Sequence, residues 1–247
     1  MSLINRVRCD SWSDLKREML SLLYPDGRFR RGDYWFRGHA SSQYTLEASF
    51  DRWFNTLGQS GASRTELAQQ LLDSFKEEAC WSPEYPAVKD SEAKIMALGR
   101  HYGLPTRQLD WSESPYVAAF FAFAACDLAN GGRDDVAIWA LNCNSYVWGT
   151  DNGVELERVE RLGNIRLKHQ VGGFTILRTP SANLEEHVEA FSPRDKQPFA
   201  LWQFTVPDSL ATEALADLDG MGINYASLFS GLDGAVLAAK MQMILRI

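Results

Sequence analysis

Apolar positions recur at helical spacing soon after the chain begins: Trp12, Leu15, Met19 and Leu22 fall on one side of a helix over residues 12–23. Ser11-Trp12-Ser13-Asp14 supplies an N-cap and capping box ahead of it, and Tyr24-Pro25-Asp26-Gly27 ends it. After the basic loop Arg28 to Arg31, the aromatic run Tyr34-Trp35-Phe36-Arg37 predicts a strand leading into Gly38. Helical patterns return over 63–80, with Leu67, Leu71 or Leu72, and Phe75 on one side, and again over 90–100. Residues 81–89, with two prolines, read as a loop between them. Ser114-Pro115 then opens a run from Tyr116 to Cys126 that is apolar on every side, which predicts a capped and buried helix stopped by Asn130-Gly131-Gly132. Strand patterns follow at 136–142, 173–178 and 199–206, then helices at 208–218 and 224–245, the latter interrupted near Gly231 to Gly234.

Helices first and strands later predict an α+β fold, with a mixed or antiparallel sheet and helices packed on it. Residues 1–32 read as an N-terminal helix and linker, and 33–247 as one globular unit. Hydrophobic residues are 45% and charged residues 23% of the 247, an ordinary globular profile with enough chain for a sizeable core.

Charge narrows the partners. With 25 basic and 32 acidic residues the formal net charge is −7, which disfavours nucleic acid as a partner. No apolar run is long enough to span a bilayer, so no membrane partner is expected. The start MSLINRVRCDSWSD lacks an apolar signal-peptide core, which predicts a cytoplasmic protein. Cys9, Cys80, Cys126 and Cys143 form no CxxC pair or Cys-His cluster, so neither structural zinc nor a disulfide framework is expected, and no metal.

Three segments carry candidate chemistry. Arg37 ends an aromatic strand and Gly38 follows it: the guanidinium offers a planar fork for phosphate or carboxylate, and the glycine allows close approach of a ligand. The alternative is an ion pair to an internal Asp and a simple turn. The second segment runs from His101 to Pro115, with His101, Tyr102, Thr106, Arg107, Asp110, Trp111, Ser112 and Ser114. It feeds into the amino end of the buried helix, where unpaired N–H groups and partial positive charge favour anions. Here too each residue has a structural alternative: Ser114 caps, Asp110 neutralises Arg107, Trp111 fills the core. The third is Gln170-Val171-Gly172-Gly173, where Gln170 is placed to hydrogen-bond a ligand and the glycines to admit it, or else to form a β-bulge. His101 and His169 are candidates for acid–base work. The geometric expectation is that the Arg37 guanidinium and the amino end of the buried helix face one hollow.

In this order the three segments resemble the FRG domain, a bacterial and phage family named for its (Phe/Tyr)-Arg-Gly motif, here Phe36-Arg37-Gly38. His101 to Phe123 is similar to the family's QHYGLPTRLLDWTxSPxxALFFA block, Gln170 to Phe174 to its QxGxF element, and Met221 to Gly234 to its GI…SLFPDLDG stretch. Departures are Arg100, Gln108, Ser112 and Ser230-Gly231. The order of elements also resembles ADP-ribosyltransferases, in which an early Arg or His and a strand–helix unit hold NAD and a late-strand Glu completes catalysis. What this resemblance implies is a nucleotide-type small molecule as partner and NAD as cofactor, with cleavage of NAD or transfer of ADP-ribose. Arg37, His101 and Gln170 would be catalytic, although a Gln cannot act as a carboxylate. Arg37 and Arg107 would hold phosphates, Ser112 or Ser114 a ribose or phosphate, and Tyr102 or Trp111 a base, while Asp110 orients an arginine. The competing expectation is a non-catalytic nucleotide-sensing or interaction module in phage defence. A hydrolase using His101 and Asp110 ranks last.

Overall fold

The computed structural model describes residues 2–58, 63–126, 134–158, 172–194, 197–229 and 231–244. Its strands are β1 (Ile4–Arg8), β2 (Tyr34–His39), β3 (Gln108–Ser112), β4 (Asp135–Asn142), β5 (Val154–Arg158), β6 (Gly172–Leu177) and β7 (Leu201–Pro207). Its helices are α1 (Trp12–Leu23), α2 (Ser49–Thr56), α3 (Arg64–Ala79), α4 (Glu92–His101), α5 (Pro115–Ala124), α6 (Leu184–Glu189), α7 (Ala211–Gly220), α8 (Tyr225–Leu228) and α9 (Leu232–Ile244). The strands form one seven-stranded sheet in the order β1-β7-β4-β2-β3-β6-β5. β1 runs parallel to β7 and the other pairings are antiparallel, so the architecture is α+β with a mixed sheet.

Successive side chains on a strand point to opposite faces, and here the two faces build two separate cores. Phe36, Ile138, Ala140, Phe204 and Val206 meet α1, α5 and α7 through Trp12, Met19, Phe120, Phe123 and Leu215. On the other face Trp35, Leu109, Trp111, Trp139 and Leu201 pack under Leu46, Ala48, Leu184 and Val188. A small third cluster, Leu72, Ile95, Met96 and Ile176, ties α3 and α4 to the β6 end of the sheet.

α5 forms as its sequence predicts: the Ser114 hydroxyl accepts from the Val117 amide, Pro115 starts the first turn, and Phe120 and Phe123 are fully enclosed. The segment read as an N-terminal helix and linker does more, because β1 joins the sheet edge and Trp12, Leu15 and Met19 of α1 enter the main core.

Two of the structure's joins position the site. Gly38 lies against α5 so closely that an added Cβ would stand 2.0 Å from the Ala118 carbonyl oxygen. The β2–β3 ladder, by contrast, holds at one pair only, Phe36 with Ser112. Past that pair the ladder is not continued, and the Arg37 side chain reaches from β2 to the Asp110 carbonyl oxygen on β3; this break in the ladder is the notch.

Candidate functional site

Arg37 fills the notch. Its Nε donates to His39 Nε2 at 3.2 Å and its Nη1 to the Asp110 carbonyl oxygen at 2.7 Å. Both acceptors are neutral, and among the described residues no carboxylate forms an ion pair with this guanidinium. Burial pulls Arg37 below its ordinary pKa, with Asp110 opposing and the nearby Arg100 and Arg52 reinforcing that pull. A half-buried cation without a paired anion attracts one.

His39 sits two residues on and shares the face. Its Nε2 accepts from Arg37, so the proton is on Nδ1, which donates to the Tyr44 carbonyl oxygen at 3.2 Å. Burial, then the Arg37 charge, pushes the ring down to about 4, so it is neutral near pH 7. The Tyr44 ring stands edge-on to it, with centroids 6.3 Å apart, and is largely exposed. Sequence reading puts His39 at the end of the Arg37 segment but assigns it no role, although its i+2 spacing from Arg37 on a strand is a usable signal.

Across the notch Asp110 Oδ1 takes Nη2 of Arg100 from the last turn of α4. The Arg100 guanidinium lies over the Phe174 ring at 4.8 Å, and its buried Nη1 has no hydrogen-bond partner among the described residues. Arg52, on α2, donates to the Glu47 carbonyl oxygen. Arg37 thus shares its face with His39, lies in the field of Arg52 and Arg100, and meets Asp110 through that residue's backbone carbonyl.

Several expected site residues are engaged elsewhere. Arg107 is 3% exposed and locked onto Asp51, with Nε 3.1 Å from Oδ2 and Nη2 3.1 Å from Oδ1, while its outer nitrogens donate to the Thr179 and Ser181 carbonyls. It is a structural strut, because it is buried against its own counter-ion and each of its three nitrogens already donates to a protein acceptor. Trp111 is core, its indole N–H bonded to Thr175 Oγ1, and so offers no open face to a base. Ser112 Oγ accepts from the Ser114 amide and Ser114 caps α5. The amino end of α5 is thus closed by its own side chains. Thr106 is buried, with its backbone N–H and carbonyl bonded to the Ser49 hydroxyl.

The expectation of one hollow shared by Arg37 and the amino end of α5 is also overturned. Phe36 and Gly38 face α5, and alternation puts Arg37 on the opposite face, level with Trp139. Gly38 is there for helix–strand contact, not for a ligand. Gly173 likewise makes room for the Trp35 ring, 2.4 Å from its would-be Cβ, and Gly172 for the Trp111 carbonyl. His101 and Tyr102 are exposed at the end of α4, with their rings edge to face. Gln170 and His169 lie outside the described residues. Among the described residues no three His, Cys, Asp or Glu side chains gather to hold a metal ion, and no helix is long and apolar enough to cross a membrane.

Fold and site together define an α+β domain with an arginine-lined notch between two strands of one sheet. Residues 32–130 match the FRG domain, and Phe36-Arg37-Gly38 falls inside the matched segment. No curated protein and no solved structure matches the chain.

Proposed function

We propose that the notch between β2 and β3 binds a phosphate-bearing nucleotide, with Arg37 as the phosphate contact and NAD as the candidate cofactor. The observation that carries this reading is the bonding of Arg37: two neutral acceptors, no carboxylate among the described residues, and two further arginines in its field. A phosphate placed there gains charge-assisted bonds in a partly desolvated setting. The largely exposed Tyr44 ring beside His39 supplies a surface on which a base can stack. Cleavage of NAD or transfer of ADP-ribose is the reaction that the resemblance in element order to ADP-ribosyltransferases suggests for such a ligand. The bond from the ribose anomeric carbon to nicotinamide breaks, nicotinamide leaves and water or an acceptor takes its place, while the cationic notch holds the diphosphate that stays on the sugar.

Calorimetry with NAD, ADP-ribose and ATP tests the reading. Wild type is expected to bind at least one of them, and Arg37→Ala to weaken that binding roughly 10- to 100-fold, the range for a bond to a charged group. No heat with any of the three would overturn it. A second reading, a module that binds the nucleotide without consuming it, is favoured by the occupation of Asp110 by Arg100. Chromatography of NAD after prolonged incubation separates the two.

A further inference from the structure

We infer that His39 is the positioning residue of the phosphate contact: its uncharged ring holds the Arg37 guanidinium by Nε without neutralising it, and so presents the outer nitrogens to the ligand. This rests on the nucleotide reading above and adds the residue through which Arg37 acts. A guanidinium at the end of a flexible side chain binds an anion more tightly when it is already held in the bound geometry. A carboxylate could hold it, but would cancel the charge the anion needs. Here the holder is an imidazole. Alternation along β2 puts His39 on the same face as Arg37, and its Nε2 accepts from the Arg37 Nε at 3.2 Å. Nδ1 donates to the Tyr44 carbonyl oxygen at 3.2 Å, which places the ring's one hydrogen there and leaves Nε2 free to accept. The backbone of the loop after β2 thus fixes the ring, and the ring fixes the arginine. On the other side the Asp110 carbonyl oxygen takes one hydrogen of Nη1. Of the guanidinium's N–H groups, those that remain are all on Nη1 and Nη2 and have no acceptor among the described residues. They lie at the outer end of the side chain, where a phosphate can dock. Both of the groups that hold Arg37 are neutral, so its charge is left for the ligand.

The test is calorimetry with ADP and inorganic pyrophosphate on wild type, His39→Leu, His39→Gln and His39→Glu, with thermal unfolding of each variant to show that it is folded. His39→Leu removes the acceptor and is expected to weaken both probes roughly three- to tenfold, the size of one ordinary hydrogen bond. Glutamine carries a carbonyl oxygen as many bonds from the backbone as Nε2, so His39→Gln is expected to recover most of that loss. His39→Glu keeps an acceptor but pairs with the Arg37 charge, and is expected to bind both probes more weakly than His39→Leu. In an Arg37→Ala background His39→Leu should cost nothing further, since His39 acts through Arg37. Should His39→Leu not fold, His39→Ala takes its place. Unchanged affinity in the folded variant without an acceptor, no recovery in His39→Gln, or a loss that persists in the Arg37→Ala background overturns the positioning role while leaving the phosphate contact at Arg37 standing. Absence of binding of ADP and pyrophosphate by wild type overturns both.

Discussion

Arg37 and His39 lie two residues apart on one strand and share a hydrogen bond in which the guanidinium donates and the imidazole accepts, at 3.2 Å. That bond requires a neutral ring, and burial pushes the His39 pKa down to about 4 from an ordinary 6.5. Between those values the unfolded chain takes up a proton that the folded chain refuses, so this residue's contribution to stability is lost as pH falls from about 6.5 toward 4. In His39→Gln, which keeps an acceptor but does not titrate, that loss is absent. The stability difference between wild type and variant should move against wild type by roughly 2 kcal/mol on acidification, allowing for a partly exposed ring. Urea unfolding at a series of pH values measures it.

Glu185 has the opposite slope. Both its carboxylate oxygens lie 3.0 Å from the Leu46 amide in a buried setting, and desolvation pushes its pKa up to about 7. The folded chain holds this proton more tightly, so wild type loses stability as pH rises from about 4.5 through 7. Glu185→Gln should therefore gain on wild type above neutrality. Because the His39 and Glu185 windows overlap with opposing signs, wild-type stability alone looks flat there, and only difference curves resolve the two.

Arg107→Ala removes the partner of a fully buried carboxylate. Asp51 is left with Arg64 at 3.5 Å, and two loop carbonyls lose their donors. The expected cost is about 3–5 kcal/mol, read by chemical denaturation. A loss of nucleotide affinity with full stability would contradict the structural role given to Arg107.

Gly38→Ala would place a methyl group 2.0 Å from the Ala118 oxygen and 2.7 Å from the Ala122 nitrogen. Since both are backbone atoms of a buried helix, α5 must move away from β2. A loss of about 3 kcal/mol or more is expected, visible as a lowered thermal midpoint or as insoluble protein.

Ser114→Ala deletes the cap of α5 at a cost of about 1 kcal/mol. Nucleotide affinity should stay unchanged, because the anion contact is at Arg37. Calorimetry and thermal unfolding on the same sample distinguish this outcome from a phosphate site at the helix end.

The long apolar helix and its cap were legible because Ser114, Pro115 and ten following residues carry a strong local signal, as were the strands that became β2, β4, β6 and β7. β3 escaped notice: QLDWS alternates over only five residues, and its pairing with β6 is set by residues far along the chain. Arg107 looked like a ligand because Asp51, its counter-ion, lies 56 positions upstream in α2, a helix of only eight residues. The face of Arg37 could have been read. Strict alternation along Tyr34–His39 already separates Arg37 and His39 from Phe36 and Gly38. Glycine was read as room for a ligand where it was room for another part of the protein.

The one-pair ladder between Phe36 and Ser112 means that the sheet is two leaves, β1-β7-β4-β2 and β3-β6-β5, stitched at a single point. Among what spans the seam are α5 on one face, the Trp35 ring reaching over to Gly173 on the other, and the hydrogen bonds from Arg37 to Asp110 and from Arg158 to Gly32. A molecule lodged in the notch would act as a further staple, so its arrival should be felt as stiffening of the whole sheet. Slowed amide exchange on both leaves at once would be its signature.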